Sequence, residues 1–202
     1  MTYDFLIVGG GVAGCYTSMK LKEKYPDNNI LLIEKTNRLG GRLHSVKIKE
    51  GTLEAGGARF SNRHKLLNKL IDNLQLSDKK NKIGSKVEFI SSKKGGNDTK
   101  LIVESLMRDL VKKSKAYSKN FLIKHTLTSF CLKIHGKEKT DFLIEAFPYY
   151  ARINNMNLYD CLRSLNDYID YKRQFYSLKG GLQQVPLECA RLFKESGGKI
   201  RK

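Results

Sequence analysis

The chain has 202 residues, 40% of them hydrophobic, enough for one domain with a sizeable core or a domain plus a smaller unit. It carries 38 Lys and Arg against 20 Asp and Glu, a formal net charge of +18 that by default suggests an anionic partner. The excess is mostly lysine, spread through Lys79–Lys82, Lys93-Lys94, Lys112–Lys115 and Lys137–Lys139 with no arginine- and aromatic-rich reading module, which disfavours nucleic acid; together with abundant Asn and Ile it fits an AT-rich coding sequence, as in some large DNA viruses or parasites.

In chain order, Phe5-Leu6-Ile7-Val8 is an apolar run of strand length and is followed by Gly9, Gly11 and Gly14. A helix is expected from Val12 to about Lys24, and a second buried strand at Ile30-Leu31-Leu32-Ile33 ends on Glu34. A hairpin-like pair is expected around Leu43–Lys49 and Thr52–Ala55, then a helix from about Arg63 to Leu74, where Leu66, Leu67, Leu70, Ile71 and Leu74 recur at helical spacing. Residues 77–98 are polar apart from a short strand candidate, Val87-Glu88-Phe89-Ile90, and Ser91–Asp98 reads as an exposed loop. Helical patterns then run from about Thr99 to Lys115, Asn120 to His135, Lys139 to Tyr150 and Leu158 to Ile169. Phe147, Tyr149, Tyr150, Tyr168, Tyr171, Phe175 and Tyr176 gather at the end of this stretch, where core packing is favoured over an aromatic ligand pocket.

The first segment carries the chemistry. Gly9 lets the chain turn sharply after the strand, Gly11 lets the backbone approach a pyrophosphate, and Gly14 lets the following helix pack closely on the strand. The helix start, with Val12 and Ala13, offers unpaired N–H groups and a positive dipole end to phosphates. Glu34 stands 20 residues after Gly14, at a strand's C-terminal end, where a carboxylate can accept hydrogen bonds from ribose hydroxyls. This is a site for the ADP half of a dinucleotide.

Glu34-Lys35-Thr36-Asn37-Arg38-Leu39-Gly40-Gly41-Arg42 narrows the cofactor, because here the chain resembles the flavin-containing amine oxidase superfamily. A further match, Glu54-Ala55-Gly56-Gly57-Ala58-Arg59-Phe60, is similar to the loop that this family lays beside the flavin ring. A weaker one is Tyr176-Ser177-Leu178-Lys179-Gly180-Gly181-Leu182-Gln183-Gln184-Val185-Pro186, similar to its return to the cofactor domain. The resemblance implies FAD as cofactor, held by Gly9, Gly11, Val12, Ala13, Gly14, Glu34, Lys35, Arg38, Gly40, Gly41, Arg42, Gly57, Ala58, Arg59 and Phe60. It implies an α/β fold: an incomplete Rossmann-like parallel sheet with an inserted, mostly helical portion of a substrate domain. The expected division is residues 1–75 for the FAD-binding β-α-β region with the flavin loop, 76–175 for the partial substrate domain and 176–202 for the return, with a strand beginning near Gly198-Lys199-Ile200.

The implied activity is oxidation of a C–N bond in a small-molecule amine, with electrons passed from flavin to oxygen. No catalytic residue is identified. Family members are roughly twice this length, so a second chain supplying the remaining half is an expected partner; the alternatives are a non-catalytic remnant, a binding or structural protein, or one half of a split flavoenzyme. Cys15, Cys131, Cys161 and Cys189 are too scattered for a metal or redox site, and His44, His64, His125 and His135 lack ligand spacing, so no metal is expected. Without an 18-residue apolar run no membrane span is expected, and with a strand opening at the N-terminus no leader is expected either; the expectation is an intracellular chain, cytoplasmic or viral.

Overall fold

The computed structural model describes residues 2–84, 97–147, 150–169 and 174–202. The chain divides into two compact units, one made of Met1–Gly84 with Gln174–Lys202 and the other of Ser85–Arg173. The α/β class expected from the sequence, with a parallel sheet and a helical insertion, is the one observed.

The first unit begins with β1 (Phe5–Val8), α1 (Val12–Lys24) and β2 (Ile30–Ile33). There follow the antiparallel hairpin β3 (Ser45–Ile48) and β4 (Gly51–Glu54), then β5 (Phe60–Ser61), α2 (Lys65–Asn73), a 3-10 turn at Ser77–Lys79 and β6 (Lys80–Ile83). The second unit holds α3 (Asn97–Ser114), α4 (Lys119–Lys124), α5 (Leu127–Ala146), α6 (Tyr150–Asn154) and α7 (Leu158–Ile169). The chain then re-enters the first unit with β7 (Phe175–Leu178), α8 (Gln184–Glu195) and β8 (Lys199–Arg201).

The parallel sheet runs β1-β2-β8, with Leu6 opposite Leu31 and Leu31 opposite Lys199. On one face Ile30 and Leu32, flanked by Phe5, Ile7 and Ile200, pack with Cys15 and Met19 of α1 and Cys189, Ala190 and Phe193 of α8. Each fully buried Leu, Ile or Phe there contributes about 1.5–3 kcal/mol. Strand side chains alternate between faces, so Leu6 and Val8 point the other way, and they are 59% and 77% exposed. Lys22, nearly buried, caps the turn into β2 by donating from Nζ to Pro26 O at 2.6 Å and Asn28 O at 3.0 Å. A small antiparallel sheet, β5-β7-β6, joins the two stretches of the first unit.

In the second unit Leu110, Leu127, Phe130, Leu143, Ile153 and Leu165 form a separate core. The helix expected over Asn120–His135 is two: Ser118 caps α4, and Thr126 opens α5 with a capping box in which Thr126 Oγ1 accepts from Ser129 N and Ser129 Oγ accepts from Thr126 N. The expected break between His135 and Lys139 is a kink rather than an end, because Gly136 sits at φ 76° while the helix resumes. The strand candidate Val87–Ile90, residues 91–96 of the expected loop, Tyr149 and Tyr171 lie outside the described residues; Asn97 and Asp98 open α3. Strand β6 and helix α6 had no clear pattern in the sequence.

Helix α2 ends in a Schellman motif, with Leu76 N donating to Ile71 O and Gln75 N to Asp72 O, both at 3.0 Å. The residue in the left-handed position is Gln75, at φ 56°, where glycine is usual. Gln75→Gly is therefore expected to raise the unfolding free energy by about 0.5–1 kcal/mol in a urea titration; an unchanged or lower value would mean that the strain is absent.

Candidate dinucleotide-binding site

The site is built where β1 and β2 end beside the start of α1. Gly11 is the N-cap of α1, and Cys15 N makes the bond to Gly11 O that opens the helical ladder. The N–H groups of Val12, Ala13 and Gly14 thus have no intrahelical acceptor, and the positive end of the helix dipole faces outward with them. A side chain at Gly14 would bring its Cβ to 1.9 Å from Gly9 O, so α1 approaches β1 this closely only with glycine there.

The Gly10 backbone ties the pieces together. Its N–H donates to Glu34 Oε2 at 2.6 Å and its C=O accepts from Gly40 N at 2.8 Å. The Leu39–Arg42 turn is thereby laid alongside Gly11, with which Gly40 forms a parallel bridge. Arg38 spends its guanidinium inside this turn, donating to Gly41 O at 2.9 Å and Leu43 O at 3.2 Å, so it shapes the loop. The loop after β4 joins next: Gly57 N donates to Arg42 O at 3.0 Å and Ala55 N to His44 O at 2.8 Å. Gly56 lies so close to Arg42 that an added Cβ would come within 2.0 Å of its carbonyl oxygen.

Val8, Gly9, Ile33, Glu34 and Lys35 line a cleft of about 310 Å³ at these strand ends, apolar except for the acid and the lysine. Glu34 accepts from Gly10 N, Thr36 N and the Thr36 hydroxyl, and these bonds, the first most of all, hold its carboxyl below the usual glutamate range. The Thr36 hydroxyl has one proton and two acceptors at 2.9 Å, Glu34 Oε1 and Arg38 O. Turned to Arg38 O, it leaves a further lone pair of Glu34 open.

The sequence-selected residues thus meet in the first unit, with exceptions of role. Gly9, Gly11, Val12, Ala13, Gly14, Glu34, Lys35, Gly40 and Gly41 surround the strand ends, and Arg42, Gly57 and Ala58 are exposed on the adjoining loops. Phe60 is buried in the core and stacked on Tyr176, ring centroids 5.8 Å apart, so its side chain packs rather than binds. Arg59 sets its guanidinium 4.6 Å from the centre of the Phe175 ring. Cys15 is a core residue whose thiol burial pushes up to about 11. Thr36, which bonds the Glu34 carboxylate, was missed; a hydroxyl two residues after the acid was the available signal. Among the described residues, no group of three or more His, Cys, Asp and Glu could hold a metal, and no helix is long and apolar enough to cross a membrane.

Comparison with known proteins agrees with this geometry. Residues 7–74 match the NAD(P)-binding Rossmann-like domain family. The chain is 45% identical over 58 residues to uncharacterized protein R188 of Acanthamoeba polyphaga mimivirus, covering 28% of this chain and 11% of that protein. It is 33% identical over 72 residues to a protein named probable flavin-containing monoamine oxidase A of Dictyostelium discoideum, covering 36% and 15%. It is 43% identical over 54 residues to an L-2-hydroxyglutarate dehydrogenase of Escherichia coli, covering 27% and 12%. The solved structure of a putrescine oxidase superposes with a TM-score of 0.65 at 21% identity, over 99% of this chain and 51% of that one. The chain therefore has the fold of about half of that oxidase, and spans a small part of the curated relatives it matches.

Because its lowered carboxyl gains its bonds in the folded state, Glu34 stabilises the turn fully above the ordinary glutamate pKa and loses this as pH falls through the lowered folded value. The Gly10 amide resonance should report an inflection below the ordinary glutamate range and lose it in Glu34→Gln; an inflection at or above that range would contradict the bonding. Gly14→Ala should separate α1 from β1 and cut dinucleotide affinity at least tenfold by calorimetry.

Proposed function

We propose that the chain binds FAD by its ADP half and forms part of a flavin-dependent oxidoreductase of amine oxidase type. The observation that carries this reading is the convergence, on the Gly10 backbone, of the helix N-terminus, the acid Glu34 and the Leu39–Arg42 turn. In it, the N–H groups that open α1 hold the pyrophosphate, and the Glu34 carboxylate accepts from ribose hydroxyls. Val8 and Ile33 give the adenine an apolar wall, with Lys35 at the rim. FAD is favoured over a nicotinamide dinucleotide by the second glycine pair and by the Glu54–Phe60 loop hydrogen-bonded along Arg42 and His44. FAD would supply two-electron oxidation of a C–N bond. Gly57 and Ala58, exposed on that loop, would offer backbone to the ring. The residues that act on the substrate remain unassigned in this chain, and a small-molecule amine is proposed from the likeness to the putrescine oxidase and the monoamine oxidase relative.

A second polypeptide is part of the proposal. The outer strand β1 leaves Leu6 and Val8 at 59% and 77% exposure, an apolar sheet face suited to cover by further chain. Half of the superposed putrescine oxidase has no counterpart here. One half of a split flavoenzyme and a non-catalytic flavin-binding chain both fit these facts; peroxide release with amines, alone or with a partner, separates them.

The test is an absorbance spectrum from about 300 to 550 nm after the purified chain is mixed with FAD, or with NAD as comparison, and desalted. Retained flavin bands are expected. A colourless protein that keeps neither nucleotide would overturn the reading.

A further inference from the structure

Three stretches far apart in the sequence meet at one side chain. Gln183, the residue before α8, is about nine-tenths buried. Its Nε2 donates to Leu39 O at 2.6 Å, and its Oε1 accepts from Ser45 N at 3.0 Å. Its backbone N–H donates to Ser45 Oγ at 3.1 Å. Ser45 Oγ in turn donates to Glu54 Oε2 at 2.7 Å, and Glu54 Oε1 accepts from Leu182 N at 2.6 Å. The lattice therefore closes on itself, joining the Leu39–Arg42 turn, the base of the β3–β4 hairpin and the Gly180–Gln183 turn. None of its members lines the cleft.

The chemistry asks for glutamine. Leu39 O needs a donor and Ser45 N needs an acceptor, on one planar group. An ionised carboxylate would face Leu39 O with no proton, an alanine would take the side-chain acceptor from Ser45 N and leave Leu39 O only the longer bond from Arg38 Nη1 at 3.4 Å, and an asparagine falls one methylene short. The bond to Leu39 O sits one residue from Gly40, whose N–H pairs with Gly10 O at 2.8 Å. Slackening the first loosens the second.

We infer that Gln183 is a positioning residue: it holds the Leu39–Arg42 turn in register with Gly10 and so sets the affinity of the chain for the pyrophosphate of a dinucleotide. This rests on the dinucleotide-binding reading above. The side chain acts through the turn and does not touch the ligand.

The test measures, on the full chain, binding of FAD, ADP and adenosine by calorimetry, with saturation-transfer NMR for adenosine. In Gln183→Ala the loss of two buried hydrogen bonds predicts about tenfold weaker FAD and ADP binding. Adenosine, which reaches only Glu34 and the apolar wall, should bind as before. Equal loss for all three ligands, or no loss, would overturn the inference.

Gln183→Glu decides the matter if the alanine variant does not fold. At pH near 7.5 its carboxylate should weaken FAD binding. At pH about 4, close to the ordinary glutamate value, the protonated fraction again donates to Leu39 O and accepts from Ser45 N, and affinity should recover in part relative to wild type at the same pH. The charged groups around it are Arg38, whose Nη1 also reaches Leu39 O at 3.4 Å, and Glu54 beyond Ser45. A pH-independent ratio of variant to wild-type affinity would overturn the positioning role. If wild type binds neither FAD nor ADP, the dinucleotide reading itself falls and the inference with it, an outcome separate from a wild type that binds and a variant that binds equally.

Discussion

One residue's backbone, that of Gly10, fixes the geometry on which the site depends. It is shared between two segments with opposite demands: the Glu34 carboxylate takes its N–H and the Gly40 amide takes its C=O. Gly10 thus links the two segments through adjoining peptide planes, one on either side of its Cα. A short bond from an amide to an ionised carboxylate is the stronger of the two kinds, so the acid anchors Gly10 and Gly10 anchors the turn. Around these few side-chain anchors much of the turn is held by main-chain contacts, which tolerate wide change in the remaining side chains. That tolerance is consistent with short matches of 33% and 43% identity to proteins whose names indicate different substrates.

The same economy appears in the sheet. Two helices, α1 and α8, bury one face, while the other carries Leu6 and Val8 at one margin and Lys199 and Arg201 at the other. The face is thus graded from apolar to basic across three strands, a pattern unlike the solvated face of an antiparallel sheet, where polar residues alternate throughout.

Much of this was legible in the sequence because local rules acted alone. The β1-α1-β2 unit, the hairpin, α2 and α7 follow from apolar period and glycine placement, and the motif residues follow from the needs of a pyrophosphate. What escaped depended on partners far along the chain. Strand β6, Lys-Asn-Lys-Ile, has no apolar alternation of its own and exists because β7 lies beside it. The break at Thr126 was readable in principle, since Thr and Ser three apart form a capping pair, but the apolar period ran across it. Phe60 looked like part of a ligand loop because it follows one; only the pairing of β5 with β7 turns its ring into the core. Gln183 is invisible to any local pattern, as its partners stand more than a hundred residues earlier.

The pairing of β8 with β2 also sets a clock. Leu31 waits for Lys199, so during synthesis the middle strand of the parallel sheet stands with an open edge while the whole helical unit is made. At about 5–20 residues per second this interval lasts on the order of 10–30 s, long against the time a ~100-residue chain needs to collapse. A nascent chain in this state displays an unpaired, apolar β-edge to every neighbour on the polysome. An apolar strand edge left open for those seconds is a site for misassociation, and slower translation lengthens the exposure.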